Sequence, residues 1–230
     1  MTSARSLTDG IWVIDHPEFS TMGLRLGTRT TILRLDDGTL AVHSPGPLND
    51  AGFAAIGALG EVSHLVAPNL MHNLYVEAAA AAFPQAKVLA VAGLKRKRPS
   101  LRVDEVLDGT LPAALSGTLA LQRLEGAAKL DEHVLFHPAS KTLIGVDLAF
   151  NLHGATGFTR FAMAINGANE RFCVTRLARS QFIDDARAAG DSVRRMADAW
   201  DVERVIVAHG DVLEQGGREA LREAWRFSEG

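Results

Sequence analysis

The sequence predicts a four-layer αββα sandwich, two mixed β-sheets face to face with helices outside. Three observations carry that expectation. An opening meander of strand-like runs gives way to a β-α-β alternation from about residue 64. A long apolar hairpin follows, from about Glu132 to Val146, turned at Pro138-Ala139-Ser140-Lys141. A late strand-helix pair closes the order. Alternating strand and helix implies a crossover and parallel pairing, whereas hairpins pair antiparallel, so the sheets are mixed. At 230 residues, 47% hydrophobic and 22% charged, the chain is long enough for one large core and is read as a single domain over 1–230.

Gly10-Ile11-Trp12-Val13-Ile14 forms the first strand, stopped near Pro17. Leu24 to Leu35 is rich in threonine and branched residues, and Asp36-Asp37-Gly38 separates it from Thr39-Leu40-Ala41-Val42-His43. Asp-Gly between two apolar runs is a hairpin signal. Ser44-Pro45-Gly46-Pro47 breaks the second run, and Asn49 is placed to cap a helix to about Leu59. His64 to Ala67 reads as a strand. Leu74 to Phe83 is an alanine-rich helix ended by Pro84, and Lys87 to Val91 is the next strand. Leu119 to Leu124 precedes the long hairpin as a further ribbon. Asn151 to Arg171, with Gly154, Gly157 and Gly167, reads as a loop or short lid. Asp184 to Trp200 has helical periodicity, with Ala188, Val193, Met196 and Ala199 as an inner face. Val202 to Ala208 is a strand and Arg218 to Phe227 a closing helix.

A net charge of −3 argues against nucleic acid or an anionic membrane as a partner. The basic run Lys95-Arg96-Lys97-Arg98, between Gly93 and Pro99, is expected to be a solvated loop. Cys173 is the single cysteine, which rules out an intramolecular disulfide and fits a reducing compartment. It has no neighbouring base in sequence, so a nucleophilic role is not expected. The N-terminus lacks the apolar segment of a signal peptide and no run approaches ~20 apolar residues. A cytoplasmic protein acting on a small molecule is expected.

Three strand-like runs each deliver a metal-competent side chain at their C-terminal ends. Leu65-Val66-Ala67 leads to Pro68-Asn69-Leu70-Met71-His72, Thr142-Leu143-Ile144-Gly145-Val146 to Asp147, and Val205-Ile206-Val207-Ala208 to His209-Gly210. Strands buried on both faces read as unbroken apolar runs, and polar residues at their ends collect along one rim. Two histidines and an aspartate there suffice for one divalent ion. Each has a structural alternative. His209 reads equally as a satisfied core histidine, Asp147 as a cap for the next segment, and His72 as a helix-start residue. His43 is read chiefly as a hydrogen-bond partner holding the rim loops. His137, just before the hairpin turn, is expected to face solvent or the far rim. His133 shares its face, and His16, His64 and His153 are read as structural or exposed.

Taken together, Val42-His43-Ser44-Pro45, Pro68-Asn69-Leu70-Met71-His72-Asn73 with Phe83-Pro84, His137 to Asp147-Leu148, and Ala208-His209-Gly210 resemble the metallo-β-lactamase fold superfamily, in a branch with a reduced metal site. The resemblance spans about residues 10 to 225. It implies metal-dependent hydrolysis of a small ester, thioester, lactone or amide, with Asp147 and His209 at the chemistry. It matches Asp147 to the bridging aspartate of the hydrolytic members and His209 to their last histidine. The first-motif aspartate is replaced by His43, the His-x-His-x-Asp-His motif by Asn69 to Asn73 with one histidine, and the Gly-His motif by Gly126-Ala127. What remains is His72, Asp147 and His209, with His43 and Asn69 as supplements. The resemblance thus implies at most one divalent ion, zinc or iron, or none. The alternative is a catalytically inactive protein of this fold that binds a small ligand or a protein through the old cleft.

Overall fold

A computed structural model of the chain describes residues 3–168 and 170–229. Strands β1 (Arg5–Thr8) and β2 (Ile11–His16) open a seven-stranded sheet. A small ribbon, β3 (Ser20–Thr21) with β4 (Leu24–Arg25), precedes β5 (Thr28–Arg34) and β6 (Leu40–His43), which form the Asp-Gly hairpin. Helix α1 (Asp50–Gly57) begins where Asn49 Oδ1 accepts the Gly52 N–H at 3.0 Å, and crosses to β7 (Val62–Ala67). Helix α2 (Val76–Ala82) crosses to β8 (Lys87–Val91), and α3 (Leu94–Lys97) leads towards β9 (Glu105–Leu107). The order in the sheet is β1-β2-β5-β6-β7-β8-β9, antiparallel up to β6 and parallel beyond it.

Helix α4 (Ala113–Ser116) leads to the second sheet. This comprises β10 (Ala120–Arg123), β11 (His133–His137), β12 (Thr142–Ile144) and β13 (Arg204–Ile206), with only the β12–β13 pair parallel. Between β12 and β13 lie α5 (Gly157–Ile165), α6 (Arg176–Phe182) and α7 (Ala186–Ala199), and α8 (Gly217–Ala224) follows.

Period-two alternation fixes the layers. Leu135, Ile144 and Ile206 point to one face, into the cluster that also holds Val42, Leu65 and Leu89 of the seven-stranded sheet and Ile56 of α1. Their neighbours Val134, Phe136, Leu143 and Val205 point the other way, against Val193 and Met196 of α7 and Leu221 of α8. Each such fully buried aliphatic side chain contributes about 1.5–3 kcal/mol. The result is the αββα arrangement of two mixed sheets.

Four expectations are corrected. Residues 157–165 are helical, not loop: Gly157 (φ 55°) and Gly167 (φ 70°) stand at the ends of α5 rather than breaking it. Its apolar residues face both ways, Met163 inward and Phe158, Phe161 and Ile165 outward, which hides the period. In α7, Val193 and Met196 are buried as expected, but Ala199 is exposed and Ala189 and Ala197 take the inner face. The basic run is solvated as expected, with Lys95, Arg96 and Lys97 exposed, but it forms helix α3 rather than a loop. Lys97 Nζ donates to the Leu70 carbonyl, and Arg98 donates to Asn73 Oδ1 at 3.3 Å and Glu77 Oε2 at 3.1 Å. His137 is buried, its Nδ1 2.7 Å from Ser140 Oγ.

Candidate metal centre

Sheet register brings the site together. The β11–β12 pairing sets Leu135 opposite Ile144, and continued by three residues it places Glu132 across from Asp147. The parallel β12–β13 pairing sets Ile144 beside Ile206, and continued likewise it places Asp147 beside His209. Two backbone bonds then tie the end of β7 to the other sheet. Leu70 N–H donates to Leu130 O at 2.9 Å, and His133 N–H to Pro68 O at 2.9 Å. The His72 loop is thereby fixed over Asp147.

One ligand-type atom each from His72, Asp147 and His209 lies within 4.8 Å of the others, the single such group of three among the described residues. His72 Nε2 is 3.5 Å from Asp147 Oδ2, and His209 Nε2 is 3.4 Å from Asp147 Oδ1. The other ring nitrogens are spoken for. His209 Nδ1 is 2.7 Å from the Gly27 carbonyl, which can only accept, so Nδ1 carries the proton and Nε2 offers a lone pair. His72 Nδ1 lies 2.9 Å from Ser44 Oγ, a hydroxyl able to accept in the same way. Phe150 stacks on the His209 ring at 5.1 Å.

Asp147 is held from below. Asn69 Nδ2 donates to Asp147 Oδ2 at 2.8 Å. Glu132, fully buried, accepts the Val146 N–H at 2.7 Å and the Asp147 N–H at 3.0 Å. Burial, with the Asp147 carboxylate beside it, pushes the Glu132 carboxyl up to about 8. Burial works on Asp147 in the same direction, but the His72 and His209 rings, when they carry a proton on Nε2 in the absence of metal, outweigh it and hold that carboxyl below the usual carboxylate range.

The His209 loop is clamped from the first sheet. Arg29 Nη1 donates to Val207 O at 2.7 Å and Nη2 to Gly210 O at 2.8 Å, while Nε meets Asp15 Oδ1 at 2.6 Å. Gly210 is at φ 96°, and a Cβ there would lie 2.1 Å from the Asn151 carbonyl oxygen. Only glycine passes at that point.

His72, Asp147 and His209 are therefore brought together, whereas His43 and Asn69 are not added as ligands. His43 is buried at the end of β6, and its Nε2 has no hydrogen-bond partner among the described residues. Burial, with His72 nearby, pushes its imidazole down to about 3. Ser44 makes the contact to the His72 loop. Asn69 spends its oxygen on the Met71 and His72 N–H groups, at 2.9 and 2.7 Å, and so positions the loop. His16 and His64 are buried against Thr30 and Ser63, His133 is buried, and His153 is exposed. Cys173 is buried, which pushes its thiol up and away from nucleophilic use. Glu132 and Arg29 escaped the reading of the sequence; hairpin register alone would have found Glu132.

No protein-family model and no curated protein sequence matches the chain. Solved structures share its fold throughout. DIM-1 metallo-β-lactamase exposed to ceftazidime is 13% identical, with a TM-score of 0.70 over 98% of this chain and 96% of that one. A metallo-β-lactamase from Pontibacter korlensis is 13% identical, with a TM-score of 0.69 over 97% and 98%. FIM-1 from Pseudomonas aeruginosa, in a mono-zinc form, is 14% identical, with a TM-score of 0.67 over 99% and 94%. The chain has the metallo-β-lactamase-like fold. At such low identity the likeness shows the fold and carries no activity across.

Proposed function

We propose that the chain is a hydrolase of a small ester, thioester, lactone or amide, using one divalent metal, zinc or iron, held by His72, Asp147 and His209. The convergence of two imidazole nitrogens and a carboxylate carries this reading. The separations of 3.5 Å from His72 Nε2 and 3.4 Å from His209 Nε2 to the Asp147 oxygens match the ~3.5 Å between neighbouring ligands of a tetrahedral ion with ~2.0–2.2 Å bonds. Two histidines and one carboxylate suit zinc or non-haem iron. The fold accommodates a single ion, as the mono-zinc FIM-1 structure illustrates. Such an ion supplies Lewis-acid polarisation of a carbonyl and activation of water.

The chain's own residues do the rest. Gly27 and Ser44 set the ring orientations, Asn69 and Glu132 hold Asp147, and the stacked Phe150 shields His209 from solvent. The absence of nucleic acid or membrane as partner agrees with the net charge of −3, and a cytoplasmic setting agrees with the single cysteine. Among the described residues, no helix is long and apolar enough to cross a membrane. A second reading, ligand binding without turnover, is favoured by the missing aspartate and histidines of the second and third motifs.

Metal analysis of protein purified without chelator tests the proposal. About one ion per chain is expected, lost in Asp147→Ala and His209→Ala together with any hydrolysis, and kept in His137→Ala. Two ions per chain with rapid β-lactam or thioester turnover would contradict the single-ion site. No uptake of zinc or ferrous iron would leave the ligand-binding reading.

A further inference from the structure

His72, Asp147 and His209 form the floor of a cleft of about 200 Å³. Its walls come from three places: Leu24 and Leu26 around the β3–β4 ribbon, Phe150 and Met163 beside and on α5, and Phe182 at the end of α6. At the mouth, Met22, Leu74 and Leu177 both line the cleft and stand exposed, at 77%, 61% and 37%. Exposed apolar side chains gathered around a concave site mark a surface that receives an apolar ligand. Charge sharpens the picture. Asp147 is the one carboxylate among the lining residues, and no lysine or arginine lines the cleft. The remaining polar lining groups, such as Asn73, Tyr75 and Gln181, carry neutral donors and acceptors.

We propose that this cleft takes an uncharged, extended acyl chain with its carbonyl end at the triad, and disfavours a chain that bears a carboxylate. A carboxylate on the arm away from the triad would lose its hydration against aliphatic and aromatic walls, with no lysine or arginine among the lining residues to meet it. A neutral alkyl arm meets no such cost and gains with every methylene buried. This assignment rests on the hydrolase reading only for where the carbonyl lies; the choice of arm comes from the walls.

The test is calorimetric titration of the protein, freed of metal by chelator so that no carboxylate can ligate an ion at the triad, with N-methylalkanamides of four to ten carbons. The same amides ending in an ω-carboxylate form the second arm. Affinity is expected to rise about fourfold per methylene until the cleft is filled, and the ω-carboxylates to bind at least about tenfold more weakly. A flat response to chain length, or ω-carboxylates binding as well as the neutral amides, would overturn the proposal. Leu177→Lys, at an exposed position on α6 that should leave folding intact, is expected to weaken the longest amide and strengthen its ω-carboxylate. An unchanged ratio between those two ligands would count against the wall assignment. The outcomes separate cleanly from the metal analysis. Chain-length dependence in a protein that takes up no metal keeps the cleft and removes the hydrolase, and metal uptake without chain-length dependence does the reverse.

Discussion

Asp147 receives both histidines and Asn69 on its two oxygens, while its backbone N–H goes to Glu132. Two carboxyl groups thus share one buried corner, with Asn69 donating to Asp147. His43, nearby, carries the opposite liability, a buried ring that cannot accept a proton without losing solvation. Its folded-state imidazole lies at about 3, below the ordinary 6.5, so the unfolded chain binds the proton more readily. Stability linked to this ring is therefore fully present above about pH 6.5 and is lost as pH falls from there towards about 3. In chelator, the stability of the parent chain relative to His43→Leu should fall by about 1.4 kcal/mol per pH unit across that window. Urea unfolding at pH 7.5, 6 and 5 measures it, and a difference that stays constant with pH would refute it. Asp147 and His209 were legible in the sequence because each ends an apolar run. The state of His43 was not, because an unpartnered nitrogen is a property of its neighbours.

The Arg29 fork joins β5 of one sheet to the carbonyls on either side of His209, just beyond β13 of the other. Two charged hydrogen bonds are at stake, and the Val207 carbonyl lies too deep to be recovered fully by water. Arg29→Met should cost about 2–4 kcal/mol in unfolding free energy. Arg29→Lys should recover only part of this, because an ammonium cannot serve both carbonyls as a planar fork does. A loss under about 0.5 kcal/mol in Arg29→Met, within the range of ordinary surface changes, would show that the clamp holds nothing. Elements with one clean period were legible: the Asp-Gly hairpin, β7 and β8 around their crossover, and the late helix α7. Helix α5 was obscured by apolar residues on both faces, and α6 by its short, polar sequence with Thr175 as its only start signal.

At the scale of the whole molecule, an ion at the triad would link two sheets that otherwise meet through apolar packing and a few rim hydrogen bonds. At free metal about 100-fold above its dissociation constant, binding adds about 2.7 kcal/mol. For a domain of this size that is roughly 5–11 °C in Tm. Thermal unfolding with zinc and with chelator should differ by this much in the parent chain and by nothing in Asp147→Ala; equal midpoints in the parent would remove the link. The layer order was legible because alternation and hairpins dictate it, whereas the approach of the β7 loop to β11 depends on packing between sheets. The contact between Gly27 and His209 spans 182 positions of chain, so the earliest part of the site waits on the last strand to be made. A nascent polypeptide that stops short of Arg204 already contains His72 and Asp147, yet it lacks the third ligand, His209, and both carbonyls that Arg29 grips. Biosynthesis therefore imposes an order of events: topology is completed first, and the coordination chemistry proposed for this rim becomes available only to the finished chain.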